Sequence, residues 1–219
     1  MQDIKLQIHT LVQKYEQNKD FYCSSRFNET ELRNQFLDPL FEALGWDIRN
    51  VSNRSTNERE VLLEESLREN ASTHSKKPDY TFRLYGERKF FLEAKKPCVR
   101  IEEDNEPAKQ VRRYGFTAGL KISVLSNFEY LFIYETSSPV EDNDILTKYR
   151  VKEYHYTSYE DAAEDLLKYL GKESVYSGQF DSEWKDIVLN IDHKSIDKLF
   201  LDQINSWRKM LGIEIYSYA

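Results

Sequence analysis

The 219-residue sequence predicts an α/β protein built on a central mixed sheet flanked by helices. Three observations carry that expectation. Two apolar-alternating runs stand side by side at Asp79–Leu84 and Phe90–Lys95 around Gly86, and a helical pattern from Asn105 follows them. Two further strand-like runs come after it, at Lys121–Leu125 and Tyr130–Tyr134. Strands on both sides of a helix imply a mixed sheet with a crossover.

In chain order, Ile4, Ile8, Leu11, Val12 and Tyr15 recur at helical spacing and predict an amphipathic helix to about Lys19. Asn28 is a good N-cap for a second helix, whose broad apolar face is Leu32, Phe36, Leu37, Leu40, Phe41 and Leu44, with Gly45 as its stop and Pro39 as a kink. Trp46-Asp47-Ile48 reads as the start of a first strand. Residues 50–77 are rich in Ser and Asn around the short Val61-Leu62-Leu63 patch, which predicts loop with one brief element. After Asn105-Glu106-Pro107 a helix runs toward Gly115 or Gly119. Tyr159, Ala162, Ala163, Leu166, Leu167 and Leu170 predict a helix from Ser158 that Gly171 ends, and Ile196, Leu199, Phe200, Ile204, Trp207 and Leu211 predict a last one from about Ser195. The expected division is a core over residues 1–157 and a C-terminal helical extension over 158–219.

Composition narrows the function classes. The sequence shows no apolar run long enough to cross a bilayer, and Met1-Gln2-Asp3 opens no signal peptide, so a cytoplasmic location is expected. Cys23 and Cys98 stand too far apart, and too far from the scattered His9, His74, His155 and His193, to suggest a disulfide framework or a zinc site. The net charge of -7 argues against gripping DNA by bulk charge. Local basic clusters do exist: Lys76-Lys77, Lys95-Lys96 with Arg100, and Lys109 with Arg112-Arg113 surround one acidic group in the sequence, which predicts a basic rim if they converge.

That acidic group is Asp79 with Glu93-Ala94-Lys95. Glu93 and Lys95 fall on a strand expected to be central, where a buried carboxylate needs a partner such as a hard divalent cation. Lys95 beside it can orient or deprotonate a water, or stabilise charge growing on a phosphate. The three must share a face. A two-residue turn at Gly86-Glu87 would pair Asp79 with Ala94 and set Asp79 opposite to Glu93, whereas a three-residue loop or a bulge brings Asp79, Glu93 and Lys95 together. The loop or bulge is the expectation, with Gly86 in the left-handed position such loops need; a regular two-residue turn counts against the site.

Pro78-Asp79 followed by Glu93-Ala94-Lys95 resembles the signature of the PD-(D/E)XK nuclease superfamily. Glu93-Ala94-Lys95-Lys96-Pro97 after an aromatic-rich strand is similar to the N-terminal nuclease domain of type IIG restriction-modification enzymes and of type I restriction R subunits. Asn28-Glu29, Arg33, Phe36–Phe41 and Leu44–Asp47 resemble the helix that precedes the core in that group. Its early glutamate can join the metal site; Glu29 matches it, with Glu31 the rival. Gln110 and Tyr114 match a Gln-x-x-x-Tyr element, and Trp207-Arg208 gives a weaker match. The resemblance implies a restriction-endonuclease-like core and a Mg²⁺-dependent DNA endonuclease, with Mn²⁺ as a possible substitute. Asp79, Glu93 and Glu29 would hold the metal and Lys95 would position water. Gln110 and Tyr114 would contact double-stranded DNA or support the site; Arg113 is a further candidate phosphate contact. It also implies methyltransferase and target-recognition domains in a longer chain or partner subunit. The competing reading is a silent module of nuclease fold that binds nucleic acid or a partner protein; the intact Asp79, Glu93 and Lys95 argue against it, while the acidic net charge keeps it open.

Overall fold

A computed structural model describes residues 2–65 and 77–190. The expected helix from Ser195, the Trp207-Arg208 match and Lys76 lie outside the described residues. Helix α1 (Gln2–Gln17) leads into the short α2 (Lys19–Tyr22). The predicted second helix is continuous in path but not in pitch: α3 (Glu29–Leu32), a π turn (Arg33–Leu37), then α4 (Asp38–Ala43). Pro39 explains the change. It has no N–H to offer the Gln35 carbonyl four residues back, and its ring would crowd that carbonyl in an α-helix. The wider turn relieves the crowding, and Lys14 Nζ donates to the Gln35 carbonyl at 3.3 Å instead. Asn28 caps α3 as expected, in a reciprocal box with Glu31.

Among the described residues six strands form one sheet in the order of the chain: β1 (Val61–Leu63), β2 (Tyr80–Leu84), β3 (Glu87–Ala94), β4 (Ile122–Ser126), β5 (Tyr130–Glu135) and β6 (Arg150–His155). Only β3 and β4 are parallel, joined by the crossover helix α5 (Asn105–Thr117); the other neighbours are antiparallel. The sheet is therefore mixed, as the sequence predicts. The α5 helix runs past Gly115 and stops at Thr117, with Gly119 in the left-handed region at φ 67°.

Trp46-Asp47-Ile48 is not a strand. The Asp47 carboxylate accepts the N–H groups of Val51 and Ser52 at 2.7 and 2.9 Å, which bends the chain, and the Trp46 indole donates to the Leu170 carbonyl instead of facing a neighbouring strand. Two helices the periodicity did not predict, α7 (Lys172–Tyr176) and α8 (Gln179–Asn190), follow α6 (Ala163–Leu170).

Strand alternation splits the core in two. Tyr80, Phe82, Phe90, Leu92 and Ala94 join the residues of α1, α4 and α6–α8, down to Trp184, in the larger cluster. On the other face Phe91 packs on Tyr114 and Leu120, while Leu125, Phe132 and Tyr134 pack on Ala108 and Val111 of α5. Gly115 is where α5 comes closest to the sheet: a Cβ there would stand 2.5 Å from Ser123 Oγ and 2.6 Å from Thr136 Oγ1. No helix among the described residues is long and apolar enough to cross a membrane.

Candidate active site

The hairpin β2–β3 decides which side chains meet. Its turn is a two-residue one, Tyr85-Gly86, with φ of 50° and 84° and with Leu84 paired to Glu87. Positive φ at both positions is the twist a tight hairpin needs. The expected three-residue loop is thus corrected, and the turn sits one residue earlier than Gly86-Glu87. The alternative expectation, a bulge, is what the strands contain. Arg83 pairs with Arg88 but Phe82 pairs with Phe90, leaving Lys89 as the extra residue. That one residue moves the register so that, beyond Tyr80 opposite Leu92, Asp79 faces Glu93. Without it the two-residue turn would place Leu92 there and turn the carboxylates to opposite faces.

Both carboxylates lie on the α5 face of the sheet, at the carboxyl end of β3. Asp79 is fixed at both oxygens: Oδ2 accepts the Ala94 N–H at 2.7 Å and Oδ1 accepts Arg33 Nη1 at 3.3 Å. Glu93, 4% exposed, accepts Lys95 Nζ and Gln110 Nε2 at Oε1, each at 2.6 Å. Gln110 Nε2 also donates to the Tyr114 hydroxyl at 2.8 Å, one turn along α5. The second oxygen of Glu93, Oε2, is buried and has no hydrogen-bond partner. Glu29, on the first turn of α3, makes no direct contact with the pair, but its carboxyl feels the charges of Asp79, Lys95, Arg33 and Lys96. Its rival Glu31 is occupied by the capping box, where its Oε2 accepts the Asn28 N–H at 3.1 Å.

The electrostatics follow from the buried Glu93 carboxyl standing beside the half-buried Asp79, with the charge of Glu29 reaching it. Burial, and then the charge of Asp79, push Glu93 up to about 7 against the pull of Lys95. Burial raises Asp79 although the Ala94 N–H, Arg33 and Lys95 oppose it, and burial with the Asp79 charge raises Glu29. Burial tends to lower the Lys95 ammonium, but the charge of Glu93 outweighs this and raises it.

An unpartnered buried oxygen and three raised carboxyls fit a divalent cation, which would satisfy the oxygen and offset the repulsion. Among the described residues no three of His, Cys, Asp and Glu form a ready-made cage. Mg²⁺ suits such a place, because it binds through one or two carboxylates and keeps several waters.

The other expected residues divide. Arg113 is turned from this group toward Asp142, at 3.9 Å. Arg112, expected in the basic rim, is instead 1% exposed and bound to Asp144 at 2.7 Å, with its guanidinium over the Tyr149 ring. Lys109 donates to the Asp142 carbonyl and to Glu106. The basic rim is accordingly smaller than expected. The acidic segment after Pro139 folds back on α5 and neutralises its cations, and Arg100 pairs with its neighbours Glu102 and Glu103. Among the described residues, Lys95, Lys96 and Arg33 are cations whose charge reaches the carboxylates. Sequence reasoning assigned no role to Arg33 in itself, since its contact with Asp79 spans 46 positions.

No protein-family model matches the chain, and no solved structure matches it significantly. Over 210 residues, 96% of its length, the chain is 55% identical to the type II restriction enzyme and methyltransferase RM.Eco57I of Escherichia coli. The chain spans 21% of that relative's length, so nearly all of it is similar to one part of a much longer protein that is both a restriction enzyme and a methyltransferase.

Proposed function

We propose that this chain is the Mg²⁺-dependent DNA endonuclease domain of a cytoplasmic restriction-modification enzyme, of the PD-(D/E)XK type and organised as in type IIG enzymes or type I R subunits. The observation that carries the reading is the bulged register, which sets Asp79 across from Glu93 with an unpartnered buried oxygen on Glu93 and the Lys95 ammonium 2.6 Å from its other oxygen.

Asp79 and Glu93 would hold the cation, with Glu29 as a third carboxylate from α3. The chemistry supplied by a bound divalent cation is polarisation of the scissile phosphodiester and acidification of a water. Lys95 orients the attacking water and stabilises negative charge on the phosphate. Gln110 fixes the Glu93 carboxylate and Tyr114 anchors Gln110, so the two support the site from α5. Methyltransferase and target-recognition domains in the same longer chain or a partner subunit would supply the sequence specificity. The competing silent module rests on the acidic balance alone. Against it stands the complete set of Asp79, Glu93 and Lys95 on one face, which a binding role does not require.

The test is nicking of plasmid DNA by the full-length parent enzyme in Mg²⁺, compared with EDTA and with Asp79→Ala and Lys95→Ala. Metal-dependent nicking lost in both variants is expected. Equal activity in wild type and variants sinks the assignment.

A further inference from the structure

Arg33 is the first residue of the π turn, whose Arg33 carbonyl accepts the Asp38 N–H five residues on. π turns within helices recur at functional sites. Here the turn aims a guanidinium at the site. Arg33 Nη1 stands 3.3 Å from Asp79 Oδ1 and 3.2 Å from Glu64 Oε1, so one nitrogen is shared almost equally between two carboxylates. The guanidinium lies over the Tyr80 ring, 4.9 Å from its centroid, and the Tyr80 hydroxyl is held by Asp38 at 2.6 Å. The arm is 13% exposed and Glu64 is 64% exposed. Glu64 is brought there by a left-handed backbone, φ 52°, and its N–H donates to the Asp79 carbonyl at 3.0 Å. The other Asp79 oxygen is held independently by the Ala94 N–H.

A guanidinium and a divalent cation on the same carboxylate oxygen repel each other. Glu64 offers the guanidinium a second seat within reach of the same nitrogen. We propose that Arg33 is a positioning residue of the metal site, an arm that braces Asp79 Oδ1 and passes to Glu64 when a divalent cation takes that oxygen. The proposal rests on Asp79 being a metal ligand. The charge of the exposed Glu64 also reaches Asp79 directly, but Glu64 then influences metal affinity chiefly through Arg33, since a largely exposed carboxylate acts weakly by its charge alone.

The test is a double-mutant cycle on Mn²⁺ binding to the full chain, read by calorimetric titration without DNA. Glu64→Gln weakens Mn²⁺ binding by about tenfold when Arg33 is present, the scale on which residues behind a ligand act, and by no more than about twofold, the effect of its exposed charge alone, in an Arg33→Met background. Met keeps an apolar stem on Tyr80; Arg33→Gln replaces it if the Met variant fails to fold. A Glu64→Gln effect that is equal in both backgrounds, or absent from both, overturns the arm and leaves the ligand reading intact. Failure of the wild type to bind Mn²⁺ any better than Asp79→Asn overturns the ligand reading and the arm together.

Discussion

Replacing Glu93 by glutamine separates the charge of this residue from its shape. In the folded chain burial, then Asp79, lift the Glu93 carboxyl from its ordinary 4.5 to about 7, although Lys95 opposes them. A carboxyl with a raised folded pKa binds its proton more tightly in the native state, so its ionisation weakens the fold. The penalty is absent below the unfolded value, grows as pH rises from there toward 7, and is complete above it. At about 1.4 kcal/mol per pH unit that window amounts to about 3 kcal/mol, a large part of the roughly 5–15 kcal/mol that holds a domain together. Glutamine retains an acceptor for Lys95 and Gln110 without the charge. Urea unfolding of the full chain in EDTA, from about pH 5 to about pH 8, is then expected to shift the stability difference toward Glu93→Gln by about 2–3 kcal/mol. Saturating Mg²⁺ restores the wild type selectively at the alkaline end, because the cation binds only the ionised native site. Parallel curves for the two proteins in EDTA refute the buried, unpartnered carboxylate.

Gly115→Ala puts a Cβ where Ser123 Oγ and Thr136 Oγ1 already stand at 2.5 and 2.6 Å, so α5 is expected to move off the sheet. The variant should lose about 1–3 kcal/mol in thermal or urea unfolding and lose nicking activity through displaced Gln110 and Tyr114. Asp144→Ala strands the buried Arg112 guanidinium and should cost about 3–5 kcal/mol by the same measurement. Burial tends to raise Asp144, but hydrogen bonds from Lys148 and Arg112 outweigh it and hold the carboxyl down at about 2. Its stabilising contribution is present above its ordinary 3.8 and lost as pH falls toward 2, so the variant's deficit should shrink across that acid window. Arg113→Ala, by contrast, should leave Mg²⁺-dependent nicking within about twofold of wild type, since a loosely paired, half-exposed side chain contributes little; a loss beyond tenfold would return Arg113 to the DNA contact.

The sheet was legible where apolar alternation is strong, as in β2 to β5, and illegible where it is weak. Strand β6, Arg150–His155, is an edge with one buried side chain, Tyr154, so its sequence carries little inward periodicity. Trp46-Asp47-Ile48 alternates like a strand, yet the Asp47 carboxylate prefers the local backbone N–H groups four and five residues on, a competition that periodicity does not register. At the site, Asp79, Glu93 and Lys95 could be named from sequence because strand register makes a yes-or-no claim about shared faces. The bulge was half-visible: Gly86 signalled a left-handed turn, but nothing in Arg88-Lys89-Phe90 marks Lys89 as the extra residue. The partners of Arg112 and Arg33 were beyond reach, since Asp144 and Asp79 lie 32 and 46 positions away and become neighbours only after the helices pack.

The central claim is that the two carboxylates facing each other across the bulged hairpin hold a divalent cation beside Lys95. It is tested most directly by soaking crystals of the protein in Mn²⁺ and locating the ion by its anomalous scattering. The account predicts a peak coordinated by Asp79 Oδ1 and Glu93 Oε2 and lost in Asp79→Asn crystals. Density for Mn²⁺ only elsewhere on the molecule, with Glu93 Oε2 still unpartnered, would contradict it.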